Sequence, residues 1–138
     1  MEQQILKHLF IDEDYARKVI PFISEDYFHQ NTEKVVYREV NDYIERYNAL
    51  PTKEAVVIGL GEKGLSDTEY QGAISSIQTC LETSDTKENI QWLLEKTEDW
   101  CQEKAVYNAV MESIQILDGK NDNQEKGTIP KILSDALG

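Results

Sequence analysis

The sequence predicts an all-α protein in which a compact helical globule is followed by an antiparallel helical hairpin. Apolar residues recur at helical spacing in most segments, and no stretch alternates apolar and polar residues convincingly with the period of a β-strand. From residue 87 to residue 117 the chain contains neither proline nor glycine, so about thirty residues can form one helix of roughly 45 Å. A small globule cannot cover a helix of that length, which predicts the separate hairpin.

Residues 1–86 are expected to form the globule. Asp12 is placed as the N-cap of the second helix, and Thr52, after Pro51, as the N-cap of a short helix at residues 53–60. Between these caps, a long helix carries four apolar residues on one stripe: Val36, Val40, Ile44 and Tyr47. The aromatic Phe28 is expected to fill the core from the turn that precedes this helix.

Residues 87–138 are expected to form the hairpin, from a long helix at 87–117 and a short helix at 128–137. Large apolar residues recur every seven positions along the long helix, and further ones join its second half: Leu93, Trp100, Tyr107 and Ile114, then Val110 and Leu117. The first half of this seam is expected to pack on the globule. The second half has only the short last helix to cover it, and a two-helix hairpin buries little surface by itself.

A second copy of the hairpin would complete a four-helix bundle and cover the remaining apolar surface. We therefore predict a subunit interface on the long helix and on one face of the last helix. It comprises Trp100, Tyr107, Val110, Ile114, Leu117, Ile129, Ile132, Leu133 and Leu137. The alternative is that this seam belongs to a closed core.

The charge balance restricts the classes of partner. Fourteen basic residues against 26 acidic ones give a net charge of −12, so the average surface repels phosphate and direct binding to nucleic acid is not expected. No apolar run is long enough to span a bilayer, and the first residues lack the basic flank and apolar stretch of a secretion signal. A cytoplasmic location is expected, with no membrane partner.

One motif superficially matches a dinucleotide-binding turn. Gly59, Gly61 and Gly64 fit the pattern GxGxxG and follow the apolar residues 56–58. A true dinucleotide-binding turn needs a strand before it, whereas Thr52 predicts the start of a helix. We expect these glycines to form a loop that ends the helix, without a bound cofactor.

Neither a catalytic centre nor a metal site is expected. A P-loop of the form GxxxxGK[ST] is absent, because no Gly-Lys pair is followed by serine or threonine. No serine or cysteine near His8 or His29 in sequence suggests a nucleophile arrangement, and both histidines are expected to be exposed or to cap a helix. Cys80 and Cys101 form no CxxC or Cys/His cluster and are expected to be buried thiols.

Short motifs follow one another in order along nearly the whole chain. They are ILKHLF at residues 5–10, YARKVIPF at 15–22, SEDYF at 24–28, LPT at 50–52, TEY at 68–70, WLL at 92–94 and TIPKILSDAL at 128–137. Together they resemble the N-terminal domain of DnaB-like replicative helicases, particularly those of T-even-type bacteriophages.

This resemblance implies an assembly and partner-docking domain that pairs through its hairpins into dimers within a hexameric ring. In the family, the domain forms a collar above the motor ring and contacts primase and, in some systems, a helicase loader. The ATP-dependent motor would follow beyond Gly138, and its catalytic residues have no counterpart in this chain. The resemblance also implies the cytoplasm of a bacterial host as the location.

Two other classes of function stay open. A free-standing acidic phage protein that mimics DNA and blocks a host DNA-binding protein would account for the net charge of −12. A small nucleotide-binding enzyme would rest on the glycine motif alone.

Overall fold

The structure, a computed structural model, describes residues 1–82, 87–120 and 125–138. Within these ranges it contains seven α-helices, three short 3-10 helices and no strand, which confirms the all-α prediction. The chain divides into two compact units, Met1–Thr97 and Glu98–Gly138. The boundary predicted after residue 86 falls at the edge of residues 83–86, which lie outside the described ranges, and it stays a prediction.

The α-helices follow one another with short connections. They are α1 (Glu2–Ile11), α2 (Glu13–Val19), α3 (Asn31–Tyr47), α4 (Lys53–Gly61), α5 (Asp67–Glu82), α6 (Ile90–Leu117) and α7 (Ile129–Leu137). The 3-10 helices are Ile20–Phe22, Glu25–Tyr27 and Lys126–Thr128. The long and the short helix predicted for the hairpin correspond to α6 and α7, and their antiparallel arrangement stays a prediction.

Local sequence signals explain where several helices begin. The Asp12 side chain accepts a hydrogen bond from the Tyr15 backbone N–H at 3.1 Å, and Thr52 Oγ1 accepts one from the Ala55 N–H at 3.1 Å. Both predicted N-caps are therefore confirmed, since each satisfies a backbone donor that the first helical turn leaves without a partner.

The core of the first unit lies where α1, α3 and α5 pack together. Its apolar side chains come from one side of each helix: Ile5, Leu6 and Leu9, then Val36 and Val40, then Ala73, Ile77 and Cys80. Phe28 is buried as predicted, with its ring centroid 5.2 Å from that of Tyr37. Tyr47, predicted to end the stripe of α3, is instead exposed.

The glycine-rich segment does not form the predicted loop at its start. Gly59 and Gly61 lie within α4, and only Gly64 adopts a left-handed conformation, with φ of 72°. A Cβ atom at residue 59 would collide with the carboxylate of Glu39 on α3, so glycine permits this close approach of side chain to helix. The loop prediction failed for these two glycines because Gly59 serves a contact between α3 and α4, and residues that favour turns locally give no information on such a contact.

Two hydrogen bonds attach the segment around the start of α6 to α1 and α2. His8 of α1 is fully buried, so the expectation that it is exposed or caps a helix is wrong. Its Nδ1 lies 2.8 Å from the Gln4 carbonyl oxygen, and its Nε2 lies 3.1 Å from the backbone N of Glu88. Because a carbonyl only accepts and a backbone N–H only donates, both bonds require a neutral ring protonated at Nδ1.

The second bond links α2 to the second turn of α6. The Tyr15 hydroxyl lies 2.7 Å from Thr97 Oγ1, and both side chains are buried. The Tyr15 ring also meets the His8 ring edge to face, with centroids 6.0 Å apart. These side chains form a small polar cluster inside an apolar core, where each donor needs its acceptor.

We expect His8→Leu to lower the free energy of unfolding by about 1 to 3 kcal/mol, because the hydrogen bonds of the buried imidazole to the Gln4 carbonyl and the Glu88 N–H are lost. The matched control is His29→Leu, at an exposed histidine, which should change that free energy by less than about 0.5 kcal/mol. Urea denaturation followed by circular dichroism measures both. Equal destabilisation by the two substitutions would contradict the role assigned to His8.

Candidate assembly interface

In the second unit, α6 has apolar residues on two opposite sides. Ala109, Ser113 and Ile116 are buried and lie at i, i+4 and i+7 on one side. Tyr107 and Ile116 are separated by about 180° around the helix axis, at roughly 100° per residue. The side of α6 that carries Tyr107 therefore points away from the buried row.

Large apolar side chains lie on the part of α6 outside the buried row and are open to solvent. The exposed α6 face, as we call it, consists of Tyr107, Val110, Met111, Ile114 and Leu117, which are between 39% and 61% exposed. At roughly 100° per residue these positions cover an arc of about 120°, the width of the apolar stripe of an amphipathic helix. Such a contiguous face is typical of a surface that another protein covers.

The heptad seam changes its environment along α6. Leu93 is buried and Trp100 is only 6% exposed, whereas Tyr107 and Ile114, one and two heptads further on, are exposed. The structure thus brings the predicted residues Tyr107, Val110, Ile114 and Leu117 onto one open face and places Trp100 away from solvent. Met111 also lies on this face but outside the heptad spacing, so the spacing did not predict it.

Most of the predicted interface residues of α7 are less exposed to solvent than those of the exposed α6 face. Ile129, Ile132 and Leu133 are half-buried, and Leu137 is exposed. Pro130 occupies the first turn of α7, where its missing N–H removes no helical hydrogen bond. The full set of nine interface residues stays a prediction, with its most accessible members on α6 and at the end of α7.

Charged residues lie at both ends of the exposed α6 face. Glu103 lies one turn before Tyr107, and Asp118 directly follows Leu117; both are exposed. An apolar centre with polar ends is the usual anatomy of a protein–protein interface. The arrangement supports contact with another protein surface.

Within residues 1–82, 87–120 and 125–138, no group of three or more histidine, cysteine, aspartate or glutamate side chains could hold a metal ion. Among the helices of these ranges, none combines the length and apolar character needed to span a bilayer. Burial raises the pKa of both Cys80 and Cys101 to about 11, so each thiol is protonated near neutral pH.

No family model matches the chain. Over 99% of its residues, the chain is 29% identical to the DnaB-like replicative helicase of Enterobacteria phage T4. The chain spans about 30% of the length of that relative. This similarity confirms the resemblance inferred from the short motifs: the chain is similar to a portion of that DnaB-like replicative helicase.

We expect Cys80 and Cys101 to resist alkylation by iodoacetamide in the folded protein at neutral pH. The attacking species is the thiolate, which a pKa of about 11 makes scarce, whereas unfolding returns both thiols toward the ordinary value of 9.0. Mass spectrometry of samples quenched with and without urea should show alkylation at least about tenfold faster in urea. Equal rates in both conditions would contradict the burial of these thiols.

Proposed function

We propose that this chain is the N-terminal assembly and partner-docking domain, the collar, of a hexameric replicative DNA helicase. The observation that carries the proposal is the exposed α6 face in a chain that is similar along 99% of its residues to a portion of a replicative helicase. The name of the relative indicates the process, which is DNA replication. The exposed α6 face indicates the role of the domain in that process, which is to associate with another protein surface.

In this proposal, the exposed α6 face of one subunit packs against the same face of a second subunit. Such a two-fold contact is isologous, so Ile114 and Met111 near the middle of the face approach the partner's equivalents. The face is only about 15 Å long, which is short for a standard interface of about 1,600 Å². Leu137 and the half-buried residues of α7 would enlarge it, and three such pairs would make the ring.

The proposal assigns no catalytic step to this chain. Its sequence contains no GxxxxGK[ST] motif, so ATP binding and hydrolysis belong to a motor that would follow Gly138. The net charge of −12 makes it a poor host for DNA and leaves its surface suited to protein partners. Primase and, in some systems, a loader are the proposed partners, in the cytoplasm of a bacterial host.

A free-standing DNA mimic is the second candidate, and the net charge is its support. The similarity to a helicase portion favours the collar, because a mimic needs no likeness to a replicative helicase along 99% of its residues. The two candidates also differ in what the exposed α6 face should do. A collar requires self-association through that face, whereas a mimic requires an acidic surface.

We expect the chain to run as a dimer or larger ring in light scattering and Ile114→Asp to run as a monomer. A charge buried at the centre of the pair should weaken association at least about a hundredfold, or roughly 3 kcal/mol. Helical circular dichroism should be largely kept, because Ile114 is exposed within the single chain.

The matched control is Ile58→Asp, the same substitution at an exposed isoleucine of α4, which should leave the oligomeric state unchanged. A wild-type chain that is monomeric at high micromolar concentration would refute the interface. Unfolding of the whole chain by Ile114→Asp would instead place this seam in the core.

We expect neither ATP nor NAD at millimolar concentration to change the melting temperature of the chain. A ligand that binds the folded state at a hundredfold excess over its dissociation constant would add about 2.7 kcal/mol of stability. Differential scanning fluorimetry detects such a shift, and fluorescence anisotropy with single-stranded oligonucleotide at physiological salt should likewise show no binding. A clear rise in melting temperature would favour the nucleotide-binding enzyme.

A further inference from the structure

A groove of about 760 Å³ lies between the C-terminal half of α3 and helix α4 in the first unit. None of its lining residues belongs to the exposed α6 face. The α3 wall is built from Glu39, Asp42, Tyr43, Glu45, Arg46 and Tyr47, and the α4 wall from Ala55, Ile58, Gly59 and Glu62, with Lys63 at the end.

Apolar and aromatic surface is concentrated on the two walls of this α3–α4 groove. Tyr47 is 58% exposed and Ile58 is 63% exposed, although both are large side chains that usually bury much of their surface. The Tyr43 and Tyr47 ring centroids lie 4.7 Å apart, which holds the two rings together as one aromatic wall. These side chains can act as anchors for a ligand.

The floor of the groove is tight and is held by an ion pair. The Glu39 carboxylate lies against Gly59, where any Cβ would collide with it. Lys63 Nζ lies 3.5 Å from Glu39 Oε2 and 3.4 Å from Asp42 Oδ2, and these carboxylates raise the pKa of Lys63. Glu39 Oε2 is thus already paired with Lys63 at the floor.

The charges around the groove favour a cationic ligand. Four carboxylates (Glu39, Asp42, Glu45 and Glu62) face two basic side chains (Arg46 and Lys63). Lys63 is already engaged with Glu39 and Asp42, and the guanidinium carbon of Arg46 lies 6.0 Å from the centroid of the Tyr47 ring. In the described part of the chain, Glu45 and Glu62 form no ion pair.

We propose that the α3–α4 groove is a docking site for an amphipathic helix of a partner protein, one whose apolar anchors are flanked by lysine or arginine. Two helical walls with apolar side chains are suited to receive a third helix through its apolar face. The basic flanks pair with Glu45 and Glu62, while the anchors cover Tyr47 and Ile58. This inference goes beyond the collar proposal and does not depend on self-association through α6.

The same charges disfavour two other occupants. A second copy of this chain carries a net charge of −12, so its average surface is repelled by the acidic rim. Nucleic acid is repelled for the same reason, because its affinity depends on basic side chains that neutralise phosphates. A cationic protein segment satisfies both the charge and the apolar anchors.

A displayed library of short helical peptides, selected against the full chain, tests the proposal. We expect the recovered peptides to carry apolar residues at i, i+3 or i+4 and i+7, with lysine or arginine beside them. Their affinity, measured by fluorescence anisotropy, should fall at least about tenfold for Tyr47→Ser and for Ile58→Ser. Glu62→Lys should weaken the same peptides by reversing one charge at the rim.

Phe22→Ser is the matched control, because Phe22 is 73% exposed and Tyr47 58% exposed, yet only Tyr47 lines the groove. Circular dichroism should show that each variant keeps its helices. Peptides that lack basic residues, or that bind Tyr47→Ser and Ile58→Ser as tightly as the wild-type chain, would overturn the proposal. So would recovery of no peptide whose binding these substitutions weaken. Light scattering on the Ile114→Asp variant tests only the collar proposal. Failure of that proposal can therefore be distinguished from failure of the groove proposal.

Discussion

The buried polar cluster of His8, Tyr15 and Thr97 is the interaction on which the first unit depends. An unpaired polar group in this apolar interior would cost about 1 to 3 kcal/mol, so each of these buried side chains needs its hydrogen-bond partner. His8 supplies the acceptor for the Glu88 N–H, and Tyr15 pairs with Thr97 on the next turns. The beginning of the longest helix is thereby held in one register against α1 and α2.

A helix whose apolar residues extend beyond its buried row leaves some of them in water when it packs through that row alone. On α6, the row of Ala109, Ser113 and Ile116 is buried, while Tyr107 and Ile114 on the other side stay in water. The residues that form this second side are neither scattered nor polar, so solubility alone does not account for them. Association and partner binding are the tasks that such a composition fits, and the similarity to a replicative helicase points in the same direction.

Features that depend on local chemistry could be predicted from the sequence, and features that depend on distant contacts could not. Asp12 and Thr52 were recognisable as N-caps because a cap needs only its own first turn. The buried state of His8 depends on Glu88, eighty residues away, and the role of Gly59 depends on Glu39 of another helix. Heptad spacing located Tyr107 and Ile114 but passed over Met111, because the helix repeats every 3.6 residues and its exposed arc is wider than the seam.

The residues at positions 39 and 59 depend on each other, because the Glu39 carboxylate occupies the space that a side chain at position 59 would need. Any larger residue there would require the Glu39 carboxylate to move, and with it one of the two partners of Lys63. A homologue with alanine at position 59 would need another rotamer or a shorter side chain at position 39. The ion pair of Lys63 with α3 therefore depends on a residue of α4 that has no side chain of its own.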